Sequence, residues 1–494
     1  MNEQYIVSID QGTTGTRAIV FDHGGAAVSS CSLPHRQIYP QSGWVSHDAE
    51  EIYVNAVQCV SGALAAAGLT RAAIAAIGVT NQRETVVCWD AETGAPVADA
   101  VVWQCRRTAD ICKRCESDGM AGYIRQTTGL VVDPYFSATK IKWILDNVPE
   151  ARRLMDKGRL RAGTMDAYLI FRLTGGRQFA TDYSNASRTM LFNIFTKKWD
   201  DELLRYFGVP EEILPRFVPT SGYIDTADDF GAPIAAAAGD QQASLFGQAC
   251  FNDGDVKNTY GTGCFVLKNI GEKPVLSANG LLTTIAWDMG ETAYALEGSV
   301  FNAGAAIEWI IREMKLVKDV RELNDICDMT DGTDGVYFVP AFSGLGAPFW
   351  DMNARGMICG MTLSTNKNHI VRALMEAIAY QSRDVIDCMD LDAGRRVNML
   401  RVDGGVSRSD FTMKFQADML GIPVERPQNT ETTALGAAYL AGLAAGYWKN
   451  LEEIRSLRKI DKLFTPHMDR NDAANLYARW REAAERARSY VNVD

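Results

Sequence analysis

"VSIDQGTTGTRAIVFD", residues 7–22, sets two β-forming runs on either side of a turn built from Gly and Thr. "YIVSID" reads as one strand and "TRAIVFD" as the next. Between them, Gly12 and Gly15 admit backbone conformations that residues with a side chain avoid. Such a turn points backbone N–H groups and threonine hydroxyls at one spot, which suits a phosphate. Asp10, at the end of the first strand, suits a divalent cation that accompanies a phosphate. A plain hairpin with a polar turn accounts for the same residues equally well.

Farther along, the pattern returns. "TYGTGCF" (259–265) again places Gly-Thr-Gly after a strand-like run, and "RVDGGVSRSDF" (401–411) reads as strand, Asp-Gly-Gly turn and helix. One phosphate-type turn in each half points to two related domains with a nucleotide clamped between them. Strand-like and helical runs alternate throughout, the mark of α/β architecture. "AIGVTNQ" (76–82) is a further strand, and "TTALGAAYLAGLAAGYW" (432–448) is a small-residue helix suited to close packing on a neighbour.

Composition bounds the class. The 494 residues suffice for two or more domains, and 47% hydrophobic with 22% charged residues is ordinary globular usage. A net charge of −11 disfavours a nucleic-acid partner, whose phosphates call for a basic surface. No apolar run approaches a membrane span, and "MNEQYIVSID" lacks the basic segment and cleavage pattern of a signal peptide. A cytoplasmic protein is the expectation. The eleven cysteines are scattered, as reduced thiols would be. "CKRC" (112–115) has metal spacing but no further ligands nearby, so it reads as helix; the five histidines form no motif.

Three stretches can carry chemistry. In "AAGDQQASLFG" (237–247), Asp240 follows an apolar strand and is a candidate general base for a hydroxyl; helix capping is the alternative use. In "VTNQRETVVCWD" (79–90), Arg83 and Glu84 are adjacent at a strand end. Neighbours on a regular strand face opposite ways, so both can touch one small ligand only if the chain leaves extended geometry there. A donor and an acceptor side by side would read neighbouring hydroxyls of a polyol, whereas a solvent-facing charge pair needs no ligand. "AVVWQCRRTAD" (100–110) and "VVDPYFSATKIKWILDN" (131–147) add Trp103 and Tyr135, an aromatic wall for the C–H face of a polyol or ordinary core residues.

Taken in order, "NQRET", "WQCRRT", "DPYFSATKIKWILD", "TDYSNASRTMLFNI", "AGDQQASLFGQ", "NTYGTGCF", "NGLLTTIAW", "YALEGSVF", "VPAFSGLGAPFWD", "RVDGG" and "TALGAAYLAG" resemble the FGGY carbohydrate kinase family, from about residue 5 to about 450. Several of these blocks are similar to its glycerol-phosphorylating members in particular. The resemblance implies two ribonuclease-H-like α/β domains of the actin-like ATPase type, 1–249 and 250–494, with a cleft between them. It implies transfer of a phosphoryl group from MgATP to glycerol, a reaction dominated by positioning and charge stabilisation.

The site residues it implies follow motif by motif. Arg83, Glu84, Trp103, Tyr135, Asp240 and Phe265 would line a glycerol pocket, with Gln241 beside it. Asp240 would take the hydroxyl proton, and Asp10, with Asp240, would hold magnesium. Thr13, Thr14, Gly15 and Arg17 would meet the phosphates from one domain, and Gly261 and Thr262 from the other. Gly304, Gly404 and Gly405 would lie along the adenosine, with Glu308 and Ser409 beside the nucleoside.

The chain departs from the family pattern at four places. Gly15 stands where many relatives have Ser, Glu308 where Gln is expected, and Ser409 where Asn is usual. "DTADDFGAPIAAAAGDQQ" lacks the glycine-rich basic loop that regulated relatives use for a sugar bisphosphate. The family also implies a homo-oligomer, dimer or tetramer. A kinase of the same family for another polyol or ketose, and an ATP-driven chaperone or filament protein on the same fold, are the competing readings. The pocket residues argue against both.

Overall fold

The computed structural model describes residues 3–488. The opening hairpin is present: β1 (Tyr5–Gln11) runs antiparallel to β2 (Gly15–Phe21), with Asp10 directly opposite Arg17. Together with β3 (Ala27–Pro34), β4 (Ile74–Asn81), β5 (Ser221–Ala227) and β6 (Ala232–Gly239), they form one six-stranded sheet in the order β5-β6-β4-β1-β2-β3. The three central strands β6, β4 and β1 are mutually parallel. Buried on both faces, β4 and β6 carry continuous apolar runs rather than alternating ones, "AAIGV" and "PIAAAA". Helix α1 (Ala49–Ala66), capped by Asp48, makes the crossover from β3 to β4.

A second sheet repeats the plan. It contains β7 (Val256–Tyr260), β8 (Cys264–Asn269), β9 (Leu282–Asp288), β10 (Thr292–Val300), β11 (Leu400–Asp403), β12 (Val424–Pro427) and β13 (Ile460–Phe464), in the order β9-β10-β8-β7-β11-β12-β13. The hairpin β7/β8 is antiparallel, and β7, β11 and β12 are parallel. Strands β3-β2-β1-β4-β6 and β10-β8-β7-β11-β12 therefore follow one arrangement: an antiparallel meander whose first strand also pairs with a parallel run. This is the ribonuclease-H-like plan, present twice.

Two helices tie the halves together. α2 (Asp240–Gly247) leaves β6, and α3 (Thr432–Ala444) returns from the second half to pack on α2 and on β1, β4 and β6. Their backbones touch: a Cβ on Gly436 would lie 1.8 Å from the Ala243 carbonyl oxygen, and one on Gly247 2.0 Å from that of Thr432. The small-residue pattern of 432–448 therefore serves this contact. The "CKRC" stretch lies in the helix Ala109–Ser117, and no cluster of metal-binding residues occurs among the described residues. No described helix is long and apolar enough to cross a membrane.

Candidate active site

The two glycine-threonine turns sit at the ends of β1 and β7. Each is closed by one main-chain hydrogen bond, Gly12 N–H to Gly15 O in the first and Gly261 N–H to Gly263 O in the second, both at 2.9 Å. A cleft of about 560 Å3 runs past both, lined by Thr13 from the first and by Gly261, Thr262 and Gly263 from the second. The same cleft collects every residue expected to hold a polyol: Arg83, Glu84, Trp103, Tyr135, Asp240, Gln241 and Phe265.

Arg83 and Glu84 lie just beyond the end of β4, where the chain does leave extended geometry. Glu84 has φ of +59°, in the left-handed region, at a cost on the order of 1–3 kcal/mol for a residue with a side chain. That turn lets consecutive residues face one cavity. Buried charges hold it there. Arg188 donates through Nε to Glu84 Oε1 at 2.7 Å, and Glu297 of β10 accepts from Arg83 Nη1 at 2.5 Å and Nη2 at 2.9 Å. Arg188 Nη2 reaches Glu297 Oε1 at 3.1 Å, closing a set of two guanidinium and two carboxylate groups. Burial alone would raise the Glu297 carboxyl, but Arg188 and Arg83 outweigh it and hold it down at about 2.

Asp240 is the first residue of α2, one step past the cap position at Gly239. Its carboxylate lies 3.2 Å from Arg83 Nε and accepts the Gln241 N–H at 2.8 Å. Burial raises its proton affinity above the ordinary carboxylate value, with Arg83 and Lys257 opposing. Asp10 is raised to about 7 by burial; Arg17 opposes, and Asp240 and Glu431 add to the rise. A buried carboxyl whose affinity for positive charge is raised by a second carboxylate, Asp240, and which ends the strand before a Gly-Thr turn, suits a magnesium ion held by few protein ligands plus phosphate oxygens.

The aromatic wall is assembled from both halves. Trp103 meets Tyr135 edge-on at 5.6 Å between ring centroids and Phe265 at 6.4 Å. Its indole N–H donates to Thr13 Oγ1 at 3.0 Å, which joins the wall to the first turn.

The nucleotide-side residues are distributed unevenly. Gly304 begins the helix Gly304–Arg312, docked under the second turn, where Ala303, Gly304 and Ala305 N–H groups donate to the carbonyls of Thr262, Gly261 and Thr262. A Cβ on Gly304 would lie 2.5 Å from Gly261 O, and one on Gly404 2.5 Å from Tyr260 O; Gly405 faces open space. Thr14 is exposed at the first turn.

Arg17 is paired with Glu431 at the start of α3. Glu308 pairs with Arg312 at 2.7 Å on the exposed side of its helix. Ser409 is buried, donates to Asn324 Oδ1 at 2.6 Å and caps the helix Asp410–Leu420. Gly15 has a packing reason, since a Cβ there would lie 2.8 Å from the Leu33 carbonyl oxygen. None of these last four lines the cleft.

Several residues here were not legible beforehand. Glu297 and Lys257 are single charges inside buried strands, "YALEGSV" and "VKNTY", and that isolation was the available signal. Lys257 donates to Gln241 Oε1 at 2.5 Å and to Thr259 Oγ1 at 2.8 Å, and burial pulls its ammonium down to about 8. Phe342, Met352 and Arg355 reach the cleft from a long loop of the second half; Phe342 lies within "VPAFSGLGAPFWD", whereas no sequence pattern marks Met352 and Arg355.

A repeated ribonuclease-H-like domain with a phosphate-type turn at each side of a cleft is the arrangement of the actin-like ATPase class. The chain belongs to the FGGY family of carbohydrate kinases: residues 5–247 match the family's N-terminal domain and residues 256–445 its C-terminal domain. It is 54% identical to a glycerol kinase from Symbiobacterium thermophilum over 99% of this chain and 100% of that protein. It is likewise 54% identical to glycerol kinase 2 from Thermotoga maritima, over 98% and 99%. The crystal structure of Plasmodium falciparum glycerol kinase with ADP, 37% identical, superposes with a TM-score of 0.92 over 99% of both chains. A xylulose kinase from Lactobacillus acidophilus, 24% identical, reaches 0.88 over 98% of this chain and 99% of its own, a likeness of fold.

Proposed function

We propose that this protein transfers the terminal phosphoryl group of MgATP to glycerol, giving ADP and sn-glycerol 3-phosphate. The observation that carries the reading is the single cavity in which Arg83, Glu84 and Asp240 converge against Trp103, Tyr135 and Phe265, between two phosphate-type turns. The similarity to glycerol kinases over the whole chain supports it.

Arg83 donates to one hydroxyl oxygen and Glu84 accepts from a neighbouring hydroxyl, while the rings cover the C–H face. Asp240 accepts the proton of the attacking hydroxyl; its raised proton affinity brings it closer to that task. Thr13 and Thr14 on one side, and Gly261 and Thr262 on the other, offer N–H and hydroxyl donors to the phosphates. Arg17 exchanges Glu431 for a phosphate oxygen. Asp10 and Asp240 hold the magnesium ion, which supplies charge neutralisation at the phosphoryl oxygens when bound. Gly304, Gly404 and Gly405 form the adenosine wall, with Glu308 and Ser409 at its edge. The two functional halves divide near residue 250, between the end of α2 and the start of β7.

A coupled assay with ATP, magnesium and glycerol, erythritol or xylulose tests this. Glycerol is expected to give the highest kcat/KM. ATP consumption independent of any polyol, or a preference for the ketose, would overturn it.

A further inference from the structure

Across three neighbouring strands of the second sheet, the register sets Lys257 opposite Leu267 and Leu267 opposite Glu297. Directly opposed residues share a sheet face, so β7, β8 and β10 present one row: ammonium, apolar spacer, carboxylate. All three are buried. Leu267 packs with Ala243 and Leu245 of α2 in one apolar cluster. The two charges flanking it do not line the cleft, but each grips a residue that does: Lys257 holds Gln241 and Glu297 holds Arg83. Burying an ammonium and a carboxylate is costly, and apolar residues would pack the same face without that cost. Leu267, between them, is the example.

We propose that this row is the positioning device of the polyol pocket: Glu297 aims the Arg83 guanidinium, and Lys257 aims Gln241 beside Asp240. Arg83 and Gln241 thus belong to the first half of the chain, and each is gripped by a buried charge of the second. The inference rests on the reading that Arg83, Gln241 and Asp240 hold and activate the polyol. Lys257 and Glu297 are positioning residues, since each acts through another side chain. Lys257 also holds Thr259 at the base of the second phosphate turn, so it fixes the acceptor side and the phosphate side relative to one another.

The two ends of the row should differ in their kinetic signature. Glu297→Asp keeps the charge but withdraws it by one methylene, and should raise KM for the polyol about tenfold while KM for ATP stays within about twofold. Lys257→Met should lower kcat about tenfold or more with KM for ATP similarly unmoved, and Lys257→Arg should restore part of it. Leu267→Ala, in the middle of the row, is the structural control: a lower melting temperature with both KM values near wild type. If Lys257→Met does not fold, the Lys257→Arg split between kcat and KM is read in its place.

Wild-type kcat and polyol KM in both Glu297→Asp and the Lys257 variant would overturn the proposal, whatever their melting temperatures. Every variant is measured with glycerol, erythritol and xylulose beside the wild type. Failure of the wild type on glycerol would overturn the functional reading, and the row is then judged on the polyol that is turned over.

Discussion

The two hairpins that open the two sheets have nearly the same backbone and different tasks. Each ends in a glycine-threonine turn closed by one hydrogen bond. Counting back from the turn, the second cross-strand pair is Asp10 opposite Arg17 in the first hairpin and Thr259 opposite Phe265 in the second. The first hairpin thus carries a carboxylate and a guanidinium beside its turn, outside the cleft lining, and the second sets a hydroxyl and an aromatic ring in the cleft wall. The donor-rich turn can be used twice because it depends on main chain, whereas the chemistry is divided by the side chains one step away. Most of the charge facing the cleft comes from the first half (Arg83, Glu84, Asp240), and the second contributes chiefly the Phe265 ring and the glycine surfaces beside its turn, with Arg355 its one charged lining residue.

That division can be broken at graded cost. Asp240→Asn removes the proton acceptor from the charged half with little change in shape, and kcat should fall by about 10²–10⁴ while glycerol still binds. Steady-state kinetics with a glycerol-binding measurement check this; near wild-type kcat would remove Asp240 from the chemistry. Arg83→Ala leaves Glu297 and Asp240 short of a partner. Truncating a buried charged partner costs roughly 2–5 kcal/mol, so kcat/KM for glycerol should drop accordingly, with KM for ATP nearly constant.

Asp10 ties the first hairpin to pH. Its folded-state value of about 7 lies above the ordinary carboxylate value, so the carboxyl is protonated below pH 7, and a cation must displace that proton. The apparent magnesium affinity should therefore weaken by about tenfold for each unit of pH below 7 and level off above it. Asp10→Asn should abolish the slope, as a magnesium titration of the rate at several pH values would show. The sign for folding is the opposite: with the carboxyl's proton affinity raised in the folded chain, Asp10 disfavours folding progressively as pH rises from about 4 to 7.

On the neutral side the effects should be smaller. Phe265→Ala removes one ring of the wall, and KM for glycerol should rise about fivefold, the equivalent of roughly 1 kcal/mol. The smallest effect belongs to the nucleotide edge. Glu308→Gln with Ser409→Asn restores two amides, each with a donor and an acceptor, and should increase the ATP-over-GTP ratio of kcat/KM by less than about tenfold. Ser409 already serves as a helix cap and donates to Asn324, which limits what the exchange can add. An unchanged or lower ratio would show that these positions do not set base selectivity.

Among the particular residues, those readable from the chain are those whose meaning is local. The alternation of apolar runs, the Gly-Thr turns after β1 and β7, and the departure from strand geometry demanded by Arg83 next to Glu84 all lie within a few residues of backbone. So does the small-residue character of 432–448, which needs only the rule that close helix packing excludes side chains. What the local pattern left open was partnership. Nothing near Lys257 in the sequence names Gln241, and nothing near Arg17 names Glu431, 414 residues away.

The sequence by itself therefore determined the repeated α/β plan, the two donor-rich turns and the family to which the chain belongs, because periodicity, turn chemistry and motif order are properties of short segments. Only the tertiary structure decided that α3, from the second half, packs on the first sheet, and that Glu297 and Lys257 grip pocket residues across the boundary. It also decided that Glu308 and Ser409 are occupied by Arg312 and Asn324. For Glu297 and Lys257, burial of a charge is the reason: which partner shares a charge's desolvated site is set by the packing of strands distant in the chain.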